Sequence, residues 1–207
     1  MTEISSFAVK RSSAFSNRRT RVGILGGSFN PAHTGHLHIS RLALKLLKLD
    51  EIWWLVSPQN PLKPAKGMAN LEQRLKSARA VARGRQFRVT GMEQELGTQY
   101  TADTLKALKS RFSKTKFVWV MGADNLIDIA RWNDWVEIFG TVPVAVFGRP
   151  AYSFRALFSR AARRFARNRL NESRAALLVD KKPPAWVFLH IPLSTVSATR
   201  IRAGGKS

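Results

Sequence analysis

Three of the chain's four histidines lie just behind a pair of glycines, in the stretch GILGGSFNPAHTGHLHIS from Gly23 to Ser40. An imidazole can donate a hydrogen bond, accept one, or carry a positive charge near neutral pH. His33 and His36 are three residues apart, so both can face one anion and supply donors where a leaving pyrophosphate develops charge. The stretch therefore predicts phosphate chemistry.

The elements around these histidines also favour an anion. Gly26 and Gly27 follow the apolar run RVGIL directly, where the missing Cβ would let the backbone turn sharply and a ligand approach. A helix is predicted from about Gly35, and its first N–H groups can receive a phosphate. The pattern is neither G-x-x-x-x-G-K-[ST] nor G-x-G-x-x-G, so neither a P-loop enzyme nor a dinucleotide-binding oxidoreductase is supported.

Two other roles remain open for these histidines, namely zinc binding and helix capping or packing without chemistry. Zinc lacks a visible third ligand, because only His38, His190 and scattered carboxylates remain. We therefore interpret His33 and His36 as catalytic and predict no protein-held metal site. His38 lies one position beyond the useful face and is interpreted as a structural or surface residue.

Short apolar runs alternate with segments of helical period along the rest of the chain. The strands are predicted at RVGIL, EIWWLVSP, FRVTGM, KFVWVMG, VPVAVFG and AWVFLHIPL. Asn70 is a predicted N-cap of the helix in NLEQRLKSARAVA, and a short helix is predicted in SATRIRAGG. This alternation indicates an α/β fold, a Rossmann-like doubly wound parallel sheet with helices on both faces, whose ligands bind beyond the carboxyl ends of the strands.

The composition sets the broad class. A length of 207 residues with 44% hydrophobic content predicts a single domain over 21–207, preceded by a basic tail over 1–20 that we expect to be disordered. The chain has no cysteine, which suits a reducing compartment. No apolar run approaches the ~20 residues of a membrane span. We expect a soluble, cytoplasmic protein.

The formal net charge of +22 indicates polyanionic partners such as nucleotides or nucleic acid. Much of the charge lies between Arg155 and Arg174. This stretch is predicted to form one amphipathic helix with its arginines outward, where they would raise the local concentration of anionic substrates. Its apolar residues at helical spacing are Phe154, Leu157, Phe158, Ala161, Ala162 and Phe165.

The motif GGSFNPAHTGH resembles that of the nucleotidyltransferases with an H-x-G-H motif, and specifically the GGSFDPxHxGH form of bacterial nicotinate-nucleotide adenylyltransferases. The motifs NPLK, YTADTL, MGADNL, RWNDW, GRP and VSATRIR extend the resemblance, in order, from Arg21 to Arg202. It implies a Rossmann-like enzyme that transfers AMP from ATP to nicotinate mononucleotide, giving deamido-NAD and pyrophosphate.

The resemblance also implies a role for individual residues. His33 and His36 would contact the ATP phosphates, and Asp124 would lie near the ribose. The acceptor would stack its pyridine ring on Trp132 and meet the backbone of Thr101 with its carboxylate. The remaining ATP-binding positions would be Gly26, Gly27, Ser28, Phe29, Gly122, Ser197, Thr199 and Arg202.

Three positions depart from the commonest family form. Asn30 and Ala32 stand where that form has Asp and Pro, and Ala198 replaces a Ser. Asn keeps a short polar side chain that can hold the turn, and Ala removes rigidity rather than a ligand group. Neither Asn30 nor Ala32 removes a donor that the reaction needs.

The reaction needs no covalent nucleophile, because the acceptor's own phosphate can attack the α-phosphorus while the protein supplies alignment and charge. Lys63 and Arg202 are predicted phosphate partners and complete the catalytic set with the two histidines. Lys63 is also predicted to bind nicotinate mononucleotide. Mg²⁺ is expected on the ATP oxygens, held by phosphates and water. The two partners are ATP and nicotinate mononucleotide.

Several alternatives remain. Asp124 could cap a helix, Ser197 and Thr199 could do the same, and Trp132 could simply pack, as Trp53 and Trp54 are expected to. The acceptor could instead be nicotinamide mononucleotide, phosphopantetheine or a cytidylyl-transfer substrate. A basic nucleic-acid-binding module is the alternative from another class, although nucleic acid is not the expected partner.

Overall fold

A computed structural model describes residues 19–58, 67–148 and 152–191. They form one seven-stranded sheet with the strand order β3-β2-β1-β4-β5-β7-β6. The strands are β1 (Thr20–Gly27), β2 (Glu51–Val56), β3 (Phe87–Thr90), β4 (Thr115–Gly122), β5 (Val144–Phe147), β6 (Arg169–Leu170) and β7 (Trp186–Leu189). Every neighbouring pair is parallel, as predicted.

The helices lie on both faces of this sheet. They are α1 (Thr34–Leu46), α2 (Leu71–Val81), α3 (Met92–Glu95), α4 (Thr101–Arg111), α5 (Ala123–Asp128), α6 (Trp135–Thr141), α7 (Ser153–Leu157) and α8 (Arg160–Arg164). Shorter 3₁₀ turns cover Ile129–Arg131, Ala166–Asn168 and Glu172–Asp180. The predicted doubly wound α/β architecture is confirmed.

Period-2 alternation along the central strands separates two cores. Ile24 and Trp53 belong to the core under α4 to α8, whereas Leu25 and Trp54 belong to the core under α1 and α2. Both tryptophans are buried, which confirms their prediction as core residues. The chain winds from β1 outward to β3, then returns to β4 and winds the other way. The point where the direction reverses, between β1 and β4, is where such sheets bind ligands.

Most element boundaries differ from the prediction by one to three residues. Asn70 is the N-cap of α2, and its Oδ1 accepts the Gln73 N–H at 2.8 Å. β3 is shorter than predicted because Met92 already belongs to α3. β1 starts at Thr20, one residue before the predicted domain start. The predicted tail up to residue 18, and the predicted helix in SATRIRAGG, lie outside the described residues.

The basic stretch is not one amphipathic helix, so that prediction is wrong. The Ser159 side chain accepts the Ala162 N–H at 3.2 Å and caps a new helix, which divides the stretch into α7 and α8. Phe154 and Phe158 are 77% and 65% exposed, contrary to their predicted inward position. The chain then adds the edge strand β6, which the sequence pattern did not predict. Among the described residues, none of the helices is long and apolar enough to cross a membrane.

Gly26 is required by packing. An added Cβ there would clash with Cη2 of Trp119, a ring that is itself buried. We expect Gly26→Ala to lower the free energy of unfolding by ~1–3 kcal/mol, the range for overpacking a core. Gly140, in α6, has nothing within 4 Å of its added Cβ, so Gly140→Ala should be neutral or stabilising by up to ~1 kcal/mol. Urea unfolding of both variants tests this, and equal stabilities would contradict it.

Candidate active site

Gly26 and Gly27 lie inside β1, paired with Leu55 and Val56 of β2, and do not form the sharp turn that the sequence suggested. The backbone instead turns at Phe29, whose φ of +46° is in the left-handed region. For a residue with a Cβ this conformation costs about 1–3 kcal/mol. Burial of the Phe29 ring, which is 2% exposed, offsets that cost.

His33 and His36 close the N-terminus of α1 by capping each other's backbone. His33 is the N-cap, and its Nδ1 accepts the Gly35 N–H at 3.1 Å. His36 is the third helical residue, and its Nδ1 accepts the His33 N–H at 3.2 Å. Their ring centroids are 3.8 Å apart. This reciprocal arrangement follows the geometry of a capping box, with imidazoles in place of the usual hydroxyl and carboxylate.

This capping fixes the tautomer of both rings. A neutral imidazole carries one proton, and an Nδ1 that accepts a hydrogen bond leaves that proton on Nε2. The two Nε2–H groups are then the donors that the pair can present to an anion, at the positive end of a 13-residue helix. Capping and phosphate binding are therefore compatible roles, because they use different nitrogens.

Two aromatic rings and one hydroxyl group pack against His36 on the side of the core. The Phe29 ring lies 4.8 Å from the His36 ring and stacks on Trp54 at 4.9 Å. The Trp54 Nε1–H donates to Ser40 Oγ at 2.8 Å, and the Ser40 hydroxyl donates to the His36 carbonyl at 2.8 Å. The Phe29 side chain thus supports the histidine from within the core. His38 is half-buried, and its Nε2 has no partner among the described residues.

A second group of predicted residues lies at the end of β4, the parallel neighbour of β1. Gly122 is the N-cap residue of α5, and no side chain caps that helix. The alternative that Asp124 serves as a cap is therefore wrong. Asp124 stands in the first turn of α5, and its Oδ1 is buried without a hydrogen-bond partner among the described residues. A polar hydrogen of a bound molecule could satisfy this oxygen.

The two residues predicted to meet the acceptor belong to the opposite face of the sheet from α1. Thr101 is the first residue of α4, and no side chain caps that helix. Trp132 is half-buried, and its ring meets Trp119 edge-to-face at 6.5 Å. Since Trp119 lies against Gly26, Trp132 approaches the end of β1 from the side opposite to the histidines.

Four predicted site residues, Lys63, Ser197, Thr199 and Arg202, lie outside the described residues. Of the departures from the family form, Asn30 joins its turn to the segment before α2. Its Nδ2 donates to the Gly67 carbonyl at 3.2 Å, and its Oδ1 accepts the Ala69 N–H at 3.3 Å. Within the described ranges, no group of three or more His, Cys, Asp or Glu side chains could hold a metal ion.

Glu93, which the sequence analysis did not select, is buried beside this edge of the sheet at 8% exposure. Desolvation raises the pKa of its carboxyl group to about 6, although hydrogen bonds from the Ser57 and Thr104 side chains oppose the shift. It helps to line a cavity of about 300 Å³ between the end of β2 and the loop before α4. No charge pattern or period marks Glu93 in the sequence.

The raised pKa of Glu93 makes stability depend on pH. The folded protein disfavours the carboxylate, so the contribution of this group is fully present below about pH 4.5 and is lost as the pH rises through about 6. A shift from 4.5 to about 6 corresponds to about 2 kcal/mol. Glu93→Gln, which cannot ionise, should therefore gain up to that amount relative to wild type between pH 4.5 and pH 8.

Urea unfolding at several pH values measures this difference. Glu95→Gln, an exposed neighbour in the same short helix, is the matched control, and its difference from wild type should stay constant. A difference between Glu93→Gln and wild type that does not change over this pH range would contradict the assignment.

Comparison with known proteins identifies the family. The family model described as Cytidylyltransferase-like matches residues 24–204. A protein of Parvibaculum lavamentivorans is 52% identical over 185 residues, which cover 89% of this chain and 92% of the relative. One of Gluconacetobacter diazotrophicus is 50% identical, covering 90% and 86%. Both are named "Probable nicotinate-nucleotide adenylyltransferase".

Among solved structures, the nicotinic acid mononucleotide adenylyltransferase of Plasmodium falciparum, complexed with NaAD, matches with a TM-score of 0.66. The match covers 89% of this chain and 83% of that one, and at 18% identity it supports the fold. The family model and the relatives at about half identity decide the family. The chain is a nucleotidyltransferase that belongs to the nicotinate-nucleotide adenylyltransferase family.

Proposed function

We propose that this chain transfers AMP from ATP to nicotinate mononucleotide in NAD synthesis, with the phosphate chemistry at the N-terminus of α1. The observation that supports this most directly is the capping box, because it fixes His33 and His36 as Nε2–H donors beside the carboxyl end of β1. The relatives are named for this reaction, and the fold is that of a protein solved with NaAD.

In the proposed mechanism, an oxygen of the acceptor's phosphate attacks the α-phosphorus of ATP, and pyrophosphate leaves. His33 and His36 donate to phosphate oxygens as negative charge grows on the leaving group, with His36 acting on the transition state. Their donors are fixed before the substrate arrives, so little reorganisation is needed during the step. Lys63 and Arg202 are proposed to bind phosphate oxygens as well.

The remaining roles are divided between the two substrates. For ATP we propose Asp124 as a partner of the ribose, which would give its buried Oδ1 a donor. The nucleotide would also be bordered by residues at the end of β1 and in its loop, and Ser197 and Thr199 would bind its phosphates. The bordering residues are Gly26, Gly27, Ser28, Phe29 and Gly122. On the acceptor side we propose Trp132 as the stacking partner of the pyridine ring and the Thr101 backbone as the donor to its carboxylate.

Nucleotidyltransferases of this kind generally use a divalent metal with ATP. We propose Mg²⁺, which would be held by triphosphate oxygens and water rather than by a protein cage. When bound, the ion would neutralise phosphate charge. The cysteine-free composition suits a reducing compartment, and we propose the cytoplasm.

A pyrophosphate-release assay with ATP, Mg²⁺ and nicotinate mononucleotide tests the function and the role of His36. We expect His36→Asn, whose amide oxygen can still accept the His33 N–H, to lower kcat by ~10²–10³ without the Nε2–H donor. His36→Ala, which also loses the cap, should be equally slow and ~1 kcal/mol less stable.

His38→Ala is the control in the same helix and should keep wild-type turnover. Near-normal kcat in folded His36→Asn would exclude the proposed role of that residue. Release of pyrophosphate with nicotinamide mononucleotide or phosphopantetheine as the acceptor, or with CTP as the nucleotide donor, but not with ATP and nicotinate mononucleotide, would favour another nucleotidyl transfer. RNA binding without any turnover would favour the binding module.

A further inference from the structure

Arg74, in α2, is a buried cation directly behind the proposed active-site loops. Its side chain is 2% exposed, and desolvation lowers the pKa of its guanidinium. It contacts backbone oxygens rather than a carboxylate in the hydrogen bonds described. Nε donates to the Ala69 carbonyl at 2.9 Å, Nη1 to Ser28 and Ser57 at 2.8 and 2.6 Å, and Nη2 to Pro58 at 2.7 Å.

These four acceptors come from three separate segments of the chain. Ser28 belongs to the loop that carries the histidines, Ser57 and Pro58 follow β2, and Ala69 precedes α2. The Ser57 N–H also donates to the Gly27 carbonyl at 3.0 Å. The ends of β1 and β2 are therefore joined both by this backbone hydrogen bond and through the Arg74 side chain. A guanidinium can bind several oxygens at once because its N–H groups diverge in one plane, whereas a lysine ammonium on a flexible stem cannot reproduce this arrangement.

Ser57 extends this network to the acceptor side. Its carbonyl accepts from Arg74, and its hydroxyl interacts with the Glu93 carboxyl group, whose pKa it lowers. The Glu93 carbonyl accepts the Thr98 N–H at 3.0 Å, and the Thr104 hydroxyl, in the second turn of α4, also lowers the pKa of the Glu93 carboxyl group. Thr104 Oγ1 lies 2.9 Å from Thr98 Oγ1 and 3.0 Å from the Tyr100 carbonyl oxygen, directly before Thr101.

We propose that Arg74, Ser57 and Glu93 act together as positioning residues that align the donor and acceptor halves of the active site. One end of this chain of hydrogen bonds holds the histidine loop, and the other holds the start of α4. In-line transfer requires both substrates in register, and a misplacement of about 1 Å can cost ~10² in rate. The inference rests on the proposed function, since it assumes that the two sides bind ATP and the mononucleotide.

Two variants with matched controls test this alignment. We expect Arg74→Lys and Glu93→Gln to lower kcat by ~10–100-fold per folded molecule, with a smaller change in the KM for ATP. Arg79→Lys, on the exposed side of α2, and Glu95→Gln should match wild type. Thermal unfolding of each variant determines the folded fraction at the assay temperature.

Glu93→Gln separates positioning from a purely structural role, because it should be more stable than wild type at pH 8 and yet slower. Wild-type kcat and KM in folded Glu93→Gln would overturn the proposal. This result would be decisive even if Arg74→Lys does not fold. If the wild-type protein turns over nicotinate mononucleotide and the variants have the same kcat and KM, only the alignment is refuted. A wild-type protein without this activity refutes the proposed function and the alignment with it.

Discussion

The rest of the site depends on the two backbone hydrogen bonds that the rings of His33 and His36 accept. Each Nδ1 accepts a backbone N–H at the start of α1, so neither ring can turn without leaving a helix donor unpaired. The same two bonds end the loop, start the helix and select the Nε2–H tautomer. The same two residues thus provide both the helix cap and the proposed phosphate donors.

The parallel sheet brings residues distant in the sequence to one edge. The loop after β1, the start of α5 after β4 and the start of α4 all lie near the reversal of winding, on both faces of the sheet. The histidines approach from the α1 face, whereas Trp132 and Thr101 lie on the other. We propose that the buried network around Arg74 connects these two faces.

The alternation of strand and helix patterns was sufficient to predict the fold. Strands and helices have different side-chain periods, and parallel strands require helical crossovers. The pairing of His33 with His36 followed from their spacing. The prediction of one helix in the basic stretch was wrong, because the spacing of the apolar residues does not reveal that Ser159 caps a new helix. Arg74 could have been found, since it follows Leu71 by three residues and precedes Ala78 by four, on the apolar face of its helix. Glu93 could not, because only tertiary contacts bury it.

The tautomers of His33 and His36 test the central claim most directly. In protein with ¹⁵N-labelled histidine, proton–nitrogen correlation spectra at a pH where the rings are neutral identify the protonated nitrogen of each ring. With four histidines in the chain, His38→Ala and His190→Ala variants assign the signals. The account predicts protonated Nε2 and unprotonated Nδ1 in both His33 and His36. A proton on Nδ1 of either ring would contradict the capping arrangement and the donors derived from it.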